Sequence, residues 1–139
     1  YDSIIGSRAL KTATLTKKQP WYRQLIGRTG NLIIQSLIVP GIKDTQCGFK
    51  AFSRKAYTNV FPMLTIYGWG FDIEVLAIAR NHGLNIKEIG VVWHNDEDSK
   101  VKPVQAAINT FKEVLQIRKN LNKGKYDLQK KFKQKSRRS

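Results

Sequence analysis

Asp44-Thr45-Gln46-Cys47-Gly48-Phe49-Lys50 places a carboxylate, an amide and a cation in one run, with Lys43 just ahead of it. Apolar Ile42, Cys47, Phe49, Ala51 and Phe52 around these groups predict a partly buried strand over 42–52. Asp44 then stands at the strand's entrance, where a rigid scaffold can hold a carboxylate for chemistry. Asp also serves often as a turn residue, here after Pro40-Gly41, and spacing alone favours that reading.

Other polar groups have candidate roles. Arg8 follows Gly6-Ser7, and Arg23 and Arg28 lie on the next helical segment. Together they can converge on phosphate, because a guanidinium fork gives paired, charge-assisted bonds to its oxygens. Being five residues apart, Arg23 and Arg28 are not strict helix neighbours, and spacing alone favours a solvated face. Asp72 and Glu74 open a helix beside the loop Tyr67-Gly68-Trp69-Gly70-Phe71. Two apart, they point to different faces, and acids in a first turn already suit the helix dipole. His94 has no partner at metal-ligand spacing apart from the acids of 96–98, and His82 beside Gly83 reads as a helix end, so no metal site is assigned. Ser99-Lys100-Val101-Lys102 is either a basic loop or a clamp on an anionic group.

The elements that must position these groups follow from periodicity. A strand at Ile4-Ile5 ends in the Gly6-Ser7-Arg8 turn, and residues 9–20 read as a mobile loop. Leu25, Ile26, Leu32, Ile33 and Leu37 predict a helix over 21–39, stopped by Pro40-Gly41. Ser53 is a candidate N-cap for a short helix over 54–61, ended by Pro62. A helix over 71–82 presents Phe71, Val75, Leu76 and Ala79 to the core and ends at Gly83. A strand over 84–93 follows. Pro103 begins a long helix with a stripe of Val104, Ile108, Phe111 and Leu115. That stripe suits core packing or, with its flanking cations, a membrane surface. The pattern is α/β, a mixed sheet with flanking helices, closing in a basic helix and tail. We divide it at 1–102, 103–122 and 123–139, the last a tail expected to be disordered.

The 139 residues carry a net charge of +15 and are 41% hydrophobic, which excludes a largely disordered chain. Residues 100–139 hold thirteen Lys or Arg against Glu113 and Asp127, a net of +11; residues 1–99 carry only +4. This cationic arm fits an anionic partner. A single cysteine excludes an intrachain disulfide and fits a reducing compartment. The opening Tyr1-Asp2-Ser3-Ile4-Ile5 reads as a strand entered from upstream, so the chain is expected to be a fragment, and it carries no leader pattern.

In order and spacing, several motifs resemble the C-terminal half of the catalytic domain of family 2 glycosyltransferases, closest to the dolichyl-phosphate glucosyltransferase type. They are Gly6-Ser7-Arg8, Arg23 with Gly27-Arg28 and Asn31, and the run from Asp44 to Lys50. Trp69-Gly70-Phe71-Asp72-Ile73-Glu74, Glu88 with Val91 and Trp93, and Ser99-Lys100 complete them over about residues 2–102. The run from Asp44 to Lys50 is the specific part.

The resemblance implies a partial GT-A (Rossmann-like) fold and transfer of a sugar from a nucleotide sugar, UDP-glucose, to a polyprenyl phosphate at the cytoplasmic face of a membrane. By position, Arg8 and Arg23 would hold phosphate groups with Arg28 in support. Asp44 would orient the sugar or acceptor or act as base, with Gln46 beside it on the substrate. Asp72 and Glu74 match the place of an acidic catalytic residue, and Lys100 a closing loop. A divalent metal, Mg or Mn, is expected in the full-length enzyme and none on this chain. The nucleotide-binding half with its Asp-x-Asp motif is absent; Asp96-Glu97-Asp98 fits the letters in the wrong segment. The isolated chain is therefore expected to be inactive. The competing classes are a basic nucleic-acid module, disfavoured by few interleaved aromatics, and a non-catalytic membrane-surface module. A homodimer through an exposed strand edge is a further expectation.

Overall fold

A computed structural model describes residues 1–16, 19–94, 102–128, 133 and 135–138. Strand β1 (Ser3–Ser7) is the centre of a three-stranded mixed sheet. Two further strands flank it: β3 (Lys50–Phe52) antiparallel, pairing Ile4 with Ala51, and β4 (Ile86–Gly90) parallel, pairing Ile5 with Glu88. Because side chains alternate across a strand, Ser3, Ile5 and Ser7 are buried on one face while Ile4, Ala51, Lys87 and Ile89 are exposed on the other.

The helices α1 (Trp21–Leu37), α2 (Arg54–Val60), α3 (Phe71–Asn81) and α4 (Pro103–Asn122) follow, with a 3₁₀ turn at Phe61–Met63 that contains Pro62; Leu128, Lys133, Lys135 and Ser136 are helical as well. Ser53 caps α2, its Oγ accepting from the Ala56 N–H at 3.1 Å. Every residue from Ile73 to Ala79 is buried, so α3 is the hub of the core rather than an element with one apolar face. Its Ile73 and Leu76 share one core with Ile5, Val39, Val114 and Ile117.

The differences from the sequence pattern have identifiable causes. The strand expected over 42–52 forms only at its end, because the N–H groups of Lys43 and Asp44 donate to the Glu88 carboxylate instead of to a ladder, each at 3.0 Å. Asp44 thus stands in an irregular segment, not at a strand entrance. The loop at 9–20 contains a two-residue strand, β2 (Thr14–Leu15), parallel to β5 (Val92–Trp93). Two residues are too few for periodicity to reveal.

On α4, Val104, Ile108, Phe111 and Leu115 are all exposed, and the buried positions are Val114, Ile117 and Asn120. Leu25, Leu32 and Ile33, whose spacing predicted helix α1, are exposed as well. The two helices pack on each other, with Arg118 Nη1 donating to the Leu37 carbonyl at 2.5 Å. Phe71 likewise stands partly outside the core. After α4 the chain turns at Gly124 (φ +65°) and buries Tyr126 instead of fraying. Phe132 and the 96–98 acids lie outside the described residues. Among the described residues no helix is long and apolar enough to cross a membrane.

Candidate functional site

Strand β1 ends at Ser7, which delivers Arg8 to the C-terminal edge of the sheet. There Arg8 grips Asp44 side-on: Nε donates to Oδ2 at 2.8 Å and Nη2 to Oδ1 at 3.0 Å. The Arg8 backbone N–H donates to Oδ2 as well, at 2.9 Å. The Asp44 side chain is 9% exposed and that of Arg8 33%. Burial by itself raises the Asp44 carboxyl, but the Arg8 hydrogen bond and charge, with backbone N–H groups of Arg8 and Gln46, hold it below its ordinary value. The Asp44 hydrogen bond raises Arg8 in turn. The pair is therefore ionised at neutral pH, and Asp44 orients Arg8 instead of waiting as a base.

Two neighbours fix this pair. Glu88, opposite Ile5 on β4, fastens the 43–44 backbone from below. Trp93 of β5 lies under the guanidinium, whose Cζ is 5.3 Å from the ring centroid. The side-on pair uses Nε and Nη2 and leaves Nη1 for another acceptor. Arg8 lines an open groove of about 510 Å³ whose other walls are Cys47, Gly48, Phe49 and residues 89–93. The lining is mainly apolar, with one fixed cation.

A second set of contacts ties the run after Asp44 to the start of α3. Lys50, only 6% exposed, pairs with Asp72 at 3.1 Å and donates to the Cys47 carbonyl at 2.5 Å. Gln46 Nε2 donates to the Trp69 carbonyl at 3.3 Å. Asp72, partly exposed in the first turn, remains within this cluster.

Glu74 does not belong to it. At 0% exposure its carboxylate accepts from the N–H and hydroxyl of Thr65, the Ile66 N–H and the Tyr126 hydroxyl. Such a carboxylate is a structural node: its partners lie inside the core, apart from the Asp44 cluster that it was expected to join. Burial pushes the Tyr126 phenol up to about 12; Asn120 opposes the shift, and Glu74 adds to it.

Arg23 is half-buried and Arg28 exposed on α1, and neither side chain makes a hydrogen bond or ion pair among the described residues, so they are not joined to Arg8. Lys100 lies outside the described residues. The part played by Glu88 and Lys50 went unread because each depends on which backbone groups the fold leaves unpaired. The acids here fit a divalent cation poorly: Asp44 is held by Arg8, Asp72 by Lys50 and Glu74 by four donors. Among the described residues no group of three or more His, Cys, Asp or Glu can hold a metal ion.

No protein-family model and no solved structure matches the chain. Curated proteins do. It is 37% identical over 116 residues to a dolichyl-phosphate beta-glucosyltransferase of Dictyostelium discoideum, covering 83% of this chain and 36% of that protein. The human enzyme of the same name is 37% identical over 113 residues, covering 81% and 35%. That of Saccharomyces cerevisiae is 36% identical over 115, covering 82% and 34%. The chain spans about a third of the length of the relatives it matches.

Proposed function

This chain is related, over the segment they share, to the dolichyl-phosphate β-glucosyltransferases of family 2, and we propose that it supplies the acceptor side of such an enzyme. The fold would be the C-terminal portion of a GT-A domain. The reaction would move glucose from UDP-glucose to a polyprenyl phosphate. A lipid phosphate oxygen attacks the anomeric carbon as the bond from that carbon to the diphosphate breaks, and the departing UDP takes the electron pair. The phosphate is ionised at neutral pH, so the site needs charge neutralisation more than a strong base.

The observation that carries this reading is the Arg8 guanidinium, fixed by Asp44 and Trp93 at the edge of a mainly apolar groove. One oriented cation beside apolar walls suits a phosphate at the end of a hydrocarbon chain. A Mg or Mn ion on the leaving diphosphate would supply Lewis-acid chemistry, held by the part of the enzyme outside this chain. The isolated chain would then be inactive.

The exposed apolar side chains of α1 (Trp21, Tyr22, Leu25, Leu32) and α4 (Val104, Ile108, Phe111, Leu115), with the basic arm, support seating on the anionic, cytoplasmic face of a membrane. The test is glucosyl transfer to dolichyl phosphate by the full-length polypeptide. Arg8→Lys, which keeps the charge and loses the fork, should lower kcat/KM about ten- to a hundredfold. Absence of transfer by the unmutated polypeptide would sink the enzyme reading. Unchanged kcat/KM in Arg8→Lys would remove Arg8 from the site.

A further inference from the structure

A single peptide group joins the Asp44 run to helix α4. The peptide between Trp69 and Gly70 offers its carbonyl to Gln46 Nε2 at 3.3 Å and its N–H to Glu113 Oε2 at 3.2 Å. Glu113 approaches closely because two glycines make room. A Cβ on Gly68 would stand 2.5 Å from Glu113 Oε1, and one on Gly70 2.8 Å from Glu113 Cβ. Helix α3 begins at the next residue with no side-chain cap of its own. Glu113, from 43 residues away, provides the negative charge that this N-terminus favours. One residue into that helix stands Asp72, paired with Lys50. Both polar links from the Asp44 run to α3 therefore meet the turn that Glu113 holds.

We propose that Glu113 is a positioning residue: it sets the Trp69–Gly70 peptide and, through that peptide, places Gln46 beside the acceptor site. The proposal rests on the acceptor-side reading above. Gln46 is the only relay it needs, so the coupling can be read there. In the 139-residue chain, Glu113→Ala should shift the Gln46 side-chain amide resonances and expose the Gly70 N–H to hydrogen exchange. Glu113→Gln, whose amide oxygen still accepts, should restore most of both. Lys112→Ala, one position away on the same helix, controls for general disturbance of α4 and should move neither.

In the full-length polypeptide, Glu113→Ala should raise the acceptor KM about fivefold with kcat little changed. Adding Gln46→Ala to it should bring no further loss, since the two act through one peptide. Gln46 resonances that ignore Glu113→Ala, or losses from the two substitutions that multiply, would overturn the proposal. A full-length polypeptide that transfers no glucose would remove the acceptor-side reading, while the resonances would still decide whether Glu113 positions Gln46.

Discussion

The hydroxyl of Tyr126 donates to Glu74 Oε1 at 2.7 Å while accepting from Asn120 Nδ2 at 2.9 Å. This pins the start of the basic arm to the middle of the core, and His82 Nε2 meets the Tyr126 carbonyl at 2.6 Å on the other side.

Tyr126→Phe keeps the ring and removes one donor from a fully buried carboxylate. It should destabilise the chain by about 1–3 kcal/mol. Urea unfolding should show a lower midpoint at an unchanged slope. Ending the chain at residue 122 should cost more, because the buried ring is lost with the hydroxyl.

The Arg8–Asp44 pair makes stability depend on pH in a defined direction. The folded Asp44 carboxyl lies below its ordinary value, so the unfolded state binds its proton first on acidification. The contribution is complete above about pH 5 and disappears as pH falls through about 4 and below. Asp44→Asn should flatten that part of the acid limb in urea titrations taken at a series of pH values. Asp2, lowered chiefly by the Asn85 N–H, would keep part of the slope.

Gly90 packs on the backbone of the 12–13 segment: an added Cβ would stand 2.3 Å from Thr12 Oγ1 and 2.5 Å from its carbonyl carbon. Backbone cannot swing aside as a side-chain tip can. Gly90→Ala should cost about 1–3 kcal/mol and detach β2 from β5. Hydrogen exchange should then speed up at the N–H groups of Thr14 and Thr16, which bond to Val91 and Trp93.

Phe111 and Leu115 can be changed with little effect on the core, since both are about half exposed. Phe111→Glu with Leu115→Glu should leave the melting temperature within a few degrees. The same pair should reduce flotation with phosphatidylserine-containing vesicles at least about tenfold. Flotation of the unmutated chain should weaken as salt rises. Tight binding to oligonucleotides but not to vesicles would favour the nucleic-acid reading instead.

The helices were legible because α1, α3 and α4 repeat their apolar residues at helical spacing and are punctuated by Pro40-Gly41, Gly83 and Pro103. The Ser53 cap was legible for the same local reason. Which face of α4 is dry was not, since Val104, Ile108, Phe111 and Leu115 make as good a stripe as the buried Val114 and Ile117. Asp44 was found by its company in the sequence. Its grip on Arg8 depends on Glu88 drawing the 43–44 backbone off the sheet, and that relation spans 44 residues. The burial of Glu74 was not legible, because its partners come from segments on both sides of it, at Thr65, Ile66 and Tyr126.

The sheet's outer face, where apolar Ile4, Ala51 and Ile89 lie around Lys87, gives the chain two opposed colloidal tendencies. A charge of +15 repels copies at long range, while those apolar side chains attract them once they touch. Salt weakens only the repulsion, over a screening length of about 10 Å at 0.1 M. The chain should stay dispersed in dilute buffer and cluster as ionic strength approaches that of a cell, unless other polypeptide covers the sheet.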